Sequence, residues 1–316
     1  MESGVYCPLM PLPSLAADRV LPLADVTFET EARRARPLLG TVVEIHAAAA
    51  NTTVPLHAAM DAAFAAIERV QRLMSYHDSA SEISRINRNA AATEQRVAVD
   101  TYTVIESALR FAALSNGAFD PCIGDRLEKW GYLPPSAPAA DPPGVVGGTW
   151  RDVELVGPCR LRFGRPLRLD LGGIAKGYAV DCAVHALQSA GVEKILVNAG
   201  GDLRVAGPWA QHIRLRHALA PHLSADALTL RNAAFATSAA YYSRRRLPFG
   251  VVSALLDPRN AVPYVENGSV SVRAADCMSA DALTKVVLFA PRELAERVLG
   301  ACGAQAFVQS PRCAPG

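Results

Sequence analysis

Residues 167–204, LRLDLGGIAKGYAVDCAVHALQSAGVEKILVNAGGDLR, constrain this chain more than any other stretch. Residues 167–169 alternate like the end of a strand, and Asp170 stands just before Gly172-Gly173, a pair that permits a tight turn. The spacing of Gly177, Val180, Val184 and Leu187 predicts a helix over residues 174–190 with these side chains on its buried stripe. Gly191 suits its C-terminal cap. Residues 194–197 predict a second, buried strand, and Asn198-Ala199-Gly200-Gly201-Asp202 turns sharply away from it. A helix flanked by Gly-Gly turns, with an acid beside each, follows. Free N–H groups at such a helix start can hold a phosphate, and Lys176 brings a cation to the same turn. Asp170 and Asp202 are poised for a metal, a ribose hydroxyl or a base edge. An ordinary βαβ unit has the same spacing, and no Gly-Lys-Ser/Thr closes the glycine run as a P-loop requires.

At 316 residues the chain suits two domains or one large one, with ample core. Lysine and arginine total 32 against 30 acids, which gives no electrostatic case for nucleic acid. No apolar run reaches membrane-spanning length. The 7 cysteines are scattered without a CxxC, and their odd number predicts free thiols. Residues 1–26 lack a basic segment followed by an apolar core, so the expected compartment is the cytoplasm.

Along the chain, residues 1–36 read as an irregular arm ending in the basic cluster Arg33, Arg34 and Arg36. The fold proper is expected over residues 37–316, opening with a strand at 39–45 and a helix at 54–75. Ser81 is placed to cap a short helix, while Tyr76 and His77 fall on the loop before it, where a flat ring can stack on a ligand. A helix over 100–115 ends at Asn116-Gly117, and residues 118–121 form an extended turn. Residues 134–148, rich in proline and glycine, read as an excursion loop or linker. Strands follow at 153–156, 161–163, 203–206, 213–216, 228–230, 235–238, 251–256 and 269–273. Helices at 276–290 and 293–299 and a strand at 305–308 close the chain. Residues 241–246, which interleave rings and arginines, read as the exposed face of a hairpin.

Several stretches, in order, resemble one family, the FAD:protein FMN transferases, or ApbE-type flavin transferases. They are LLGTVVEI, MSYHDSASEISRIN, GAFDPCIG, LDLGGIAKGYAVD, VNAGGDLR, ATS, LLDPR and ADAL, between residues 38 and 288. The resemblance implies a mixed α+β fold of two lobes with FAD in the cleft between them. It implies Mg²⁺, and transfer of the FMN half of FAD onto a Thr hydroxyl of a partner flavoprotein with release of AMP. By the same resemblance Leu39, Tyr76, Ala118, Phe119 and Asp120 line the cleft, and Asp170 and Lys176 contact FAD. The Gly173 carbonyl and the Asp281 carboxylate match metal ligands, and Thr237 and Ser238 approach the flavin. Many relatives are exported lipoproteins, so the periplasm is the alternative compartment. The family's acceptor motif is not evident in this chain, so the acceptor is expected to be another protein.

The chain departs from the family pattern at three places. The family commonly reads His-x-x-Asp-Pro-Arg-Thr-Gly, and here residues 254–261 are ALLDPRNA, with Ala254 in place of the His. Asp257 is then a candidate substitute base. Ala-Thr-Ser-Gly has become Ala236-Thr237-Ser238-Ala239. Four residues after Asp281 the family places a Thr ligand, and this chain has Lys285. Asp281 and Lys285 stand i,i+4, acid first, the favourable order for a helical ion pair. An ammonium about 4 Å from Mg²⁺ costs roughly 8 kcal/mol at an effective dielectric of 20. Lys285 therefore swings away, or takes the cation position itself, where with Asp281 it neutralises the pyrophosphate, or forms a surface ion pair with no bearing on a metal. Two functions follow: an FMN transferase, or an FAD-binding carrier, scaffold or regulator that no longer transfers. An FAD-dependent oxidoreductase is remote, since no GxGxxG is present.

Overall fold

A computed structural model describes residues 10–11, 27–135, 147–216 and 224–309. Most of the expected arm at 1–36 and of the excursion at 134–148 lies outside the described residues. The backbone of the fold is one antiparallel sheet. Its strands are β1 (Met10–Pro11), β2 (Thr30–Leu38), β3 (Thr41–Ala49), β4 (Lys194–Ala199), β5 (Asp202–Ala206), β6 (Ala233–Ala239), β7 (Ser269–Ala274) and β8 (Gln305–Gln309). They lie in the order β1-β8-β7-β6-β5-β4-β3-β2, every neighbour antiparallel. The helices are α1 (Leu56–Met74), α2 (Glu82–Asn89), α3 (Val99–Leu114), α4 (Gly124–Lys129), α5 (Ala175–Ser189), α6 (Cys277–Phe289) and α7 (Arg292–Ala301). The α+β class expected from the sequence is therefore the class of the fold. No described helix is long and apolar enough to cross a membrane.

Helices α1, α5 and α6 lie side by side on one face of the sheet, and the main core forms between them and it. Strand alternation sorts the side chains. On β6, Ala234 and Ala236 join this core while Phe235 turns to the other face, into a smaller cluster with Leu203, Val205, Leu215 and Leu230. The hairpin Gln211–Arg216 with Ser224–Leu230 supplies Leu215 and Leu230 to that second cluster. Small residues on the inner face of β6 let α6 come close.

Three expectations need correction. Residues 30–36, read as the end of an irregular arm, belong to β2, which pairs with β3 along its whole length. The basic cluster hid this strand. Arg34 and Arg36 place their guanidinium carbons 5.6 and 4.5 Å from the Phe64 ring centre, and Arg36 reaches Asp61 at 2.8 Å, so long charged side chains serve as its inner face. Nor is the central stretch a βαβ unit. Residues 167–171 form no strand, although Leu167, Leu169 and Leu171 are buried. Their backbone bonds elsewhere: the Asn87 amide brackets Leu169 through its N–H (2.8 Å) and carbonyl (2.9 Å), Asp170 N–H donates to Pro121 O at 2.7 Å, and Gly124 N–H donates to Arg168 O at 3.0 Å. The strand expected over 251–256 is likewise broken at Ser253, whose hydroxyl accepts from Leu255 N–H at 3.1 Å.

The other expected elements form near their predicted limits. Ser81 caps α2, its hydroxyl accepting from Ser84 N–H at 3.1 Å. The expected Gly-Gly turn joins β4 to β5, with φ of 67° at Gly200 and 108° at Gly201, as a two-residue hairpin loop requires. The 5 cysteines among the described residues are free.

Gly177 fixes how α5 meets α6. A Cβ there would lie 2.2 Å from Cys277 O and 2.7 Å from Met278 N, so the two backbones touch. Alanine normally stabilises a helix by about 1 kcal/mol over glycine. Here the clash wins: Gly177→Ala is expected to lower stability by about 2 kcal/mol, read as a lower urea midpoint.

Candidate active site

A cleft of about 750 Å³ opens where the β2–β3 turn, the end of α1, the 118–133 segment, the start of α5 and the ends of β6 and α6 converge. That volume suits a cofactor-sized ligand. It brings together most of the residues singled out in the sequence. Leu39, Tyr76, Ala118, Phe119 and Asp120 form one wall with Leu127, Tyr132 and Leu133. Asp170, Gly173, Lys176, Thr237, Ser238 and Lys285 form the floor. Asp281 lies just behind this floor, 1% exposed. Asp257 is not on the cleft surface, although Leu256 and Pro258 are.

The wall is held rigid from outside. Leu39 sits at φ 56°, a left-handed conformation that a leucine rarely adopts, and its N–H donates to Gln71 Oε1 at 2.6 Å. Tyr76 O–H donates to Glu128 Oε1 at 2.5 Å, which fixes the ring. Asp120 faces its carboxylate into the protein, accepting from Cys122 N–H at 2.8 Å and Trp150 N–H at 3.2 Å. Its contribution is to shape the turn; burial pushes its pKa up.

The floor is a network of two lysines and two buried aspartates. Lys176 pairs with Asp202 and lies 3.9 Å from Asp281 Oδ2. Lys285 donates to Asp281 Oδ1 and, at 3.0 Å, to the Asp281 carbonyl, so the expected i,i+4 pair forms. Gly177 N–H also points at Asp281 Oδ2, 3.4 Å away. Burial works against the charge on Asp281, but Lys176 and Lys285 outweigh it and hold the carboxyl below its usual range. Burial likewise works against Lys176, and Asp202 and Asp281 outweigh it, raising its pKa. Asp202 thus serves as the counter-ion of Lys176, only 2% exposed, rather than as a ligand-facing acid. Above this network, Thr284 donates its hydroxyl to the Asp281 carbonyl at 2.7 Å, so Ser238 donates to Thr284 at 2.7 Å. Thr237 and Ser271 share a hydroxyl contact at 2.8 Å across β6 and β7.

Asp181 escaped the sequence reading. It accepts from Cys277 N–H and Met278 N–H, both at 2.9 Å, and from Arg204 at 2.7 Å. With Asp276, which caps Ser279 N–H at 2.7 Å, it satisfies the start of α6 and sets Asp281 one turn further on. An acid four residues after Gly177, on the same buried helix face, was the available signal. Glu128 and Tyr132 carried none.

Two carboxylates near the cleft differ sharply. Asp170 accepts from Gly172 N–H at 3.1 Å, and burial raises its pKa. Burial would also raise Asp257, but Arg259, donating at 2.9 and 2.7 Å to its two oxygens, pulls it below the usual range.

A divalent cation does not fit these residues. Asp281 Oδ1 is taken by the Lys285 ammonium, and Oδ2 faces Gly177 N–H and Lys176. Among the described residues no cluster of three His, Cys, Asp or Glu side chains is placed to hold a metal.

The Lys176–Asp202 pair is testable through stability. Lys176→Met leaves Asp202 buried without its counter-ion, which is expected to cost about 2 kcal/mol, reduced from a fully enclosed pair because Lys176 opens to the cleft. Adding Asp202→Asn should recover at least half of the lost urea midpoint.

The ApbE family model matches residues 39–308. The FAD:protein FMN transferase of Vibrio cholerae is 29% identical over 231 residues, covering 69% of this chain and 69% of its own. That of Treponema pallidum is 25% identical over 282 residues, covering 80% and 77%. Among solved structures, the ApbE protein of Thermotoga maritima superposes with a TM-score of 0.76 at 27% identity, over 88% of this chain and 93% of the other. The flavin transferase ApbE of Vibrio cholerae gives 0.73 at 26%, over 88% and 92%. A match running from the Leu39 turn to the last strand takes in every element that builds the cleft, and the chain belongs to the ApbE family.

Proposed function

We propose that this protein is an FAD:protein FMN transferase, moving the FMN half of FAD onto a threonine hydroxyl of an acceptor flavoprotein and releasing AMP. The observation that carries this reading is the continuity of one cleft, from an aromatic and apolar wall to a floor of two lysines. A flavin ring suits the wall of Tyr76, Phe119 and Leu39. A pyrophosphate suits the floor, where Lys176 and Lys285 can neutralise its charge as it develops on the leaving phosphate. The Vibrio cholerae and Treponema pallidum relatives are named FAD:protein FMN transferases, and the Vibrio cholerae structure a flavin transferase.

The transfer itself is a phosphoryl substitution. The acceptor oxygen bonds to the phosphorus on the FMN side, the bond from that phosphorus to the bridging oxygen breaks, and the electron pair leaves with AMP. The hydroxyl proton must go to a base. Ala254 lines the cleft where the family commonly has His, and offers none. Asp257 is held down by Arg259 and lies off the cleft surface. Asp170 faces the cleft, and its raised pKa makes it the better proton acceptor.

Incubation with FAD and an acceptor domain tests the reading: flavin fluorescence that stays with the denatured acceptor is the expected result. Retention of FAD without transfer would instead make the protein a carrier or regulator, the reading that Ala254 favours. Asp170→Asn is expected to slow transfer by about 10²-fold or more while FAD still binds, and Asp257→Asn to change it little. Because Asp170 must be ionised to accept a proton, its raised pKa places the acid limb of the rate profile above the ordinary carboxylate range. Transfer should therefore fall as pH drops through that limb, and the limb should vanish in Asp170→Asn.

A further inference from the structure

The cation position of this cleft is already filled by the chain. Lys285 projects from α6 one turn beyond Asp281, and its ammonium donates to both the Asp281 carboxylate and, at 3.0 Å, the Asp281 carbonyl. Its stem crosses the turn before α5: a Cβ on Gly173 would lie 3.5 Å from Lys285 Cε. The ammonium therefore sits by Asp281 and its stem runs over Gly173, the two positions that the family resemblance gives to metal ligands. The hydroxyl nearest in sequence, Thr284, is turned to the Asp281 carbonyl and to Ser238. The far oxygen of Asp281 faces Gly177 N–H and Lys176. A divalent ion would have to displace one ammonium from Asp281 while lying next to a second.

An ammonium has three N–H donors. Lys285 gives two of them to Asp281, and its side chain, 15% exposed, lines the cleft, which leaves one donor for a ligand there. Lys176 borders the same floor from α5. We propose that this protein binds the bridging phosphates of FAD with the Lys285 ammonium standing in the place of a divalent cation, so that flavin binding needs no metal. The inference rests on the reading of the cleft as an FAD site. A tethered side chain then does what an exchangeable ion would otherwise do.

The test uses the wild-type protein and FAD, with binding followed by flavin fluorescence in EDTA and in millimolar MgCl₂. The expected result is a Kd that agrees within about threefold in the two buffers. A Kd weaker by more than that in EDTA and restored by MgCl₂ overturns the inference and leaves the FAD reading intact. No FAD binding in either buffer overturns both. Lys285→Thr supplies the reciprocal arm: binding in EDTA is expected to weaken about tenfold or more and to return with MgCl₂, because removing the ammonium frees Asp281 Oδ1. A Lys285→Thr protein that binds FAD in EDTA as the wild type does, or that is weakened and not restored by MgCl₂, overturns the placement of the ammonium in the metal position. The wild-type comparison decides the question even if that variant fails to fold.

Discussion

Helix α5 meets the first turn of α6 at Gly177 with no side chain between them, and everything in the cleft floor follows from that contact. Because the backbones touch, Asp181 on α5 reaches the N–H groups of Cys277 and Met278, and Gly177 N–H points at Asp281. A looser crossing would part the Cys277 and Met278 N–H groups from the Asp181 carboxylate that satisfies them, at a cost of a few kcal/mol for the groups together. The glycine thus sets the distance at which two helices can share charges. The alanines on the inner face of β6 do the same from below, letting α6 settle onto the sheet.

Burying Asp202 and Asp281 side by side would be untenable alone. Lys176 lies between them, and Lys285 closes the set, so the floor alternates acid and base while each carboxylate also has its own cation. Such a network is buried on its protein side and open on the cleft side. It is stiff where it must hold position and accessible where it must meet phosphate. The hydroxyl chain from Ser238 through Thr284 to the Asp281 carbonyl extends the same order to the end of β6.

How much of this could be read beforehand varies with the kind of signal. The helix after Gly172-Gly173, the Gly200-Gly201 turn and the Ser81 cap were legible because local chemistry decides them. The Asp281–Lys285 pair was legible because helical spacing alone brings the two together. Strand β2 was hidden because its inner face is built from arginine stems over Phe64, which look like surface in a list of residue types. Residues 167–171 had the alternation of a strand and became something else, since the partner of Leu169 is the side chain of Asn87, 82 residues away. The pairing of Asp202 with Lys176 and the capping by Asp181 were equally invisible, being consequences of how elements cross. Family resemblance named the wall and floor residues; it could not say that the Asp120 carboxylate faces inward or that Arg259 locks Asp257.

Leu39 shows where stability and ligand contact pull apart. The two-residue turn between β2 and β3 has both residues at positive φ, 56° at Leu39 and 70° at Gly40, and only the second position carries the residue that such geometry favours. A glycine at the first would relax the backbone, yet it would also erase a patch of apolar wall. Keeping leucine there is a standing compromise: the sheet's edge hairpin is less sturdy than it could be, and the pocket rim keeps its shape. Programmes that raise thermal tolerance by repairing unfavourable dihedrals would select this position early, and would trade away ligand grip in doing so.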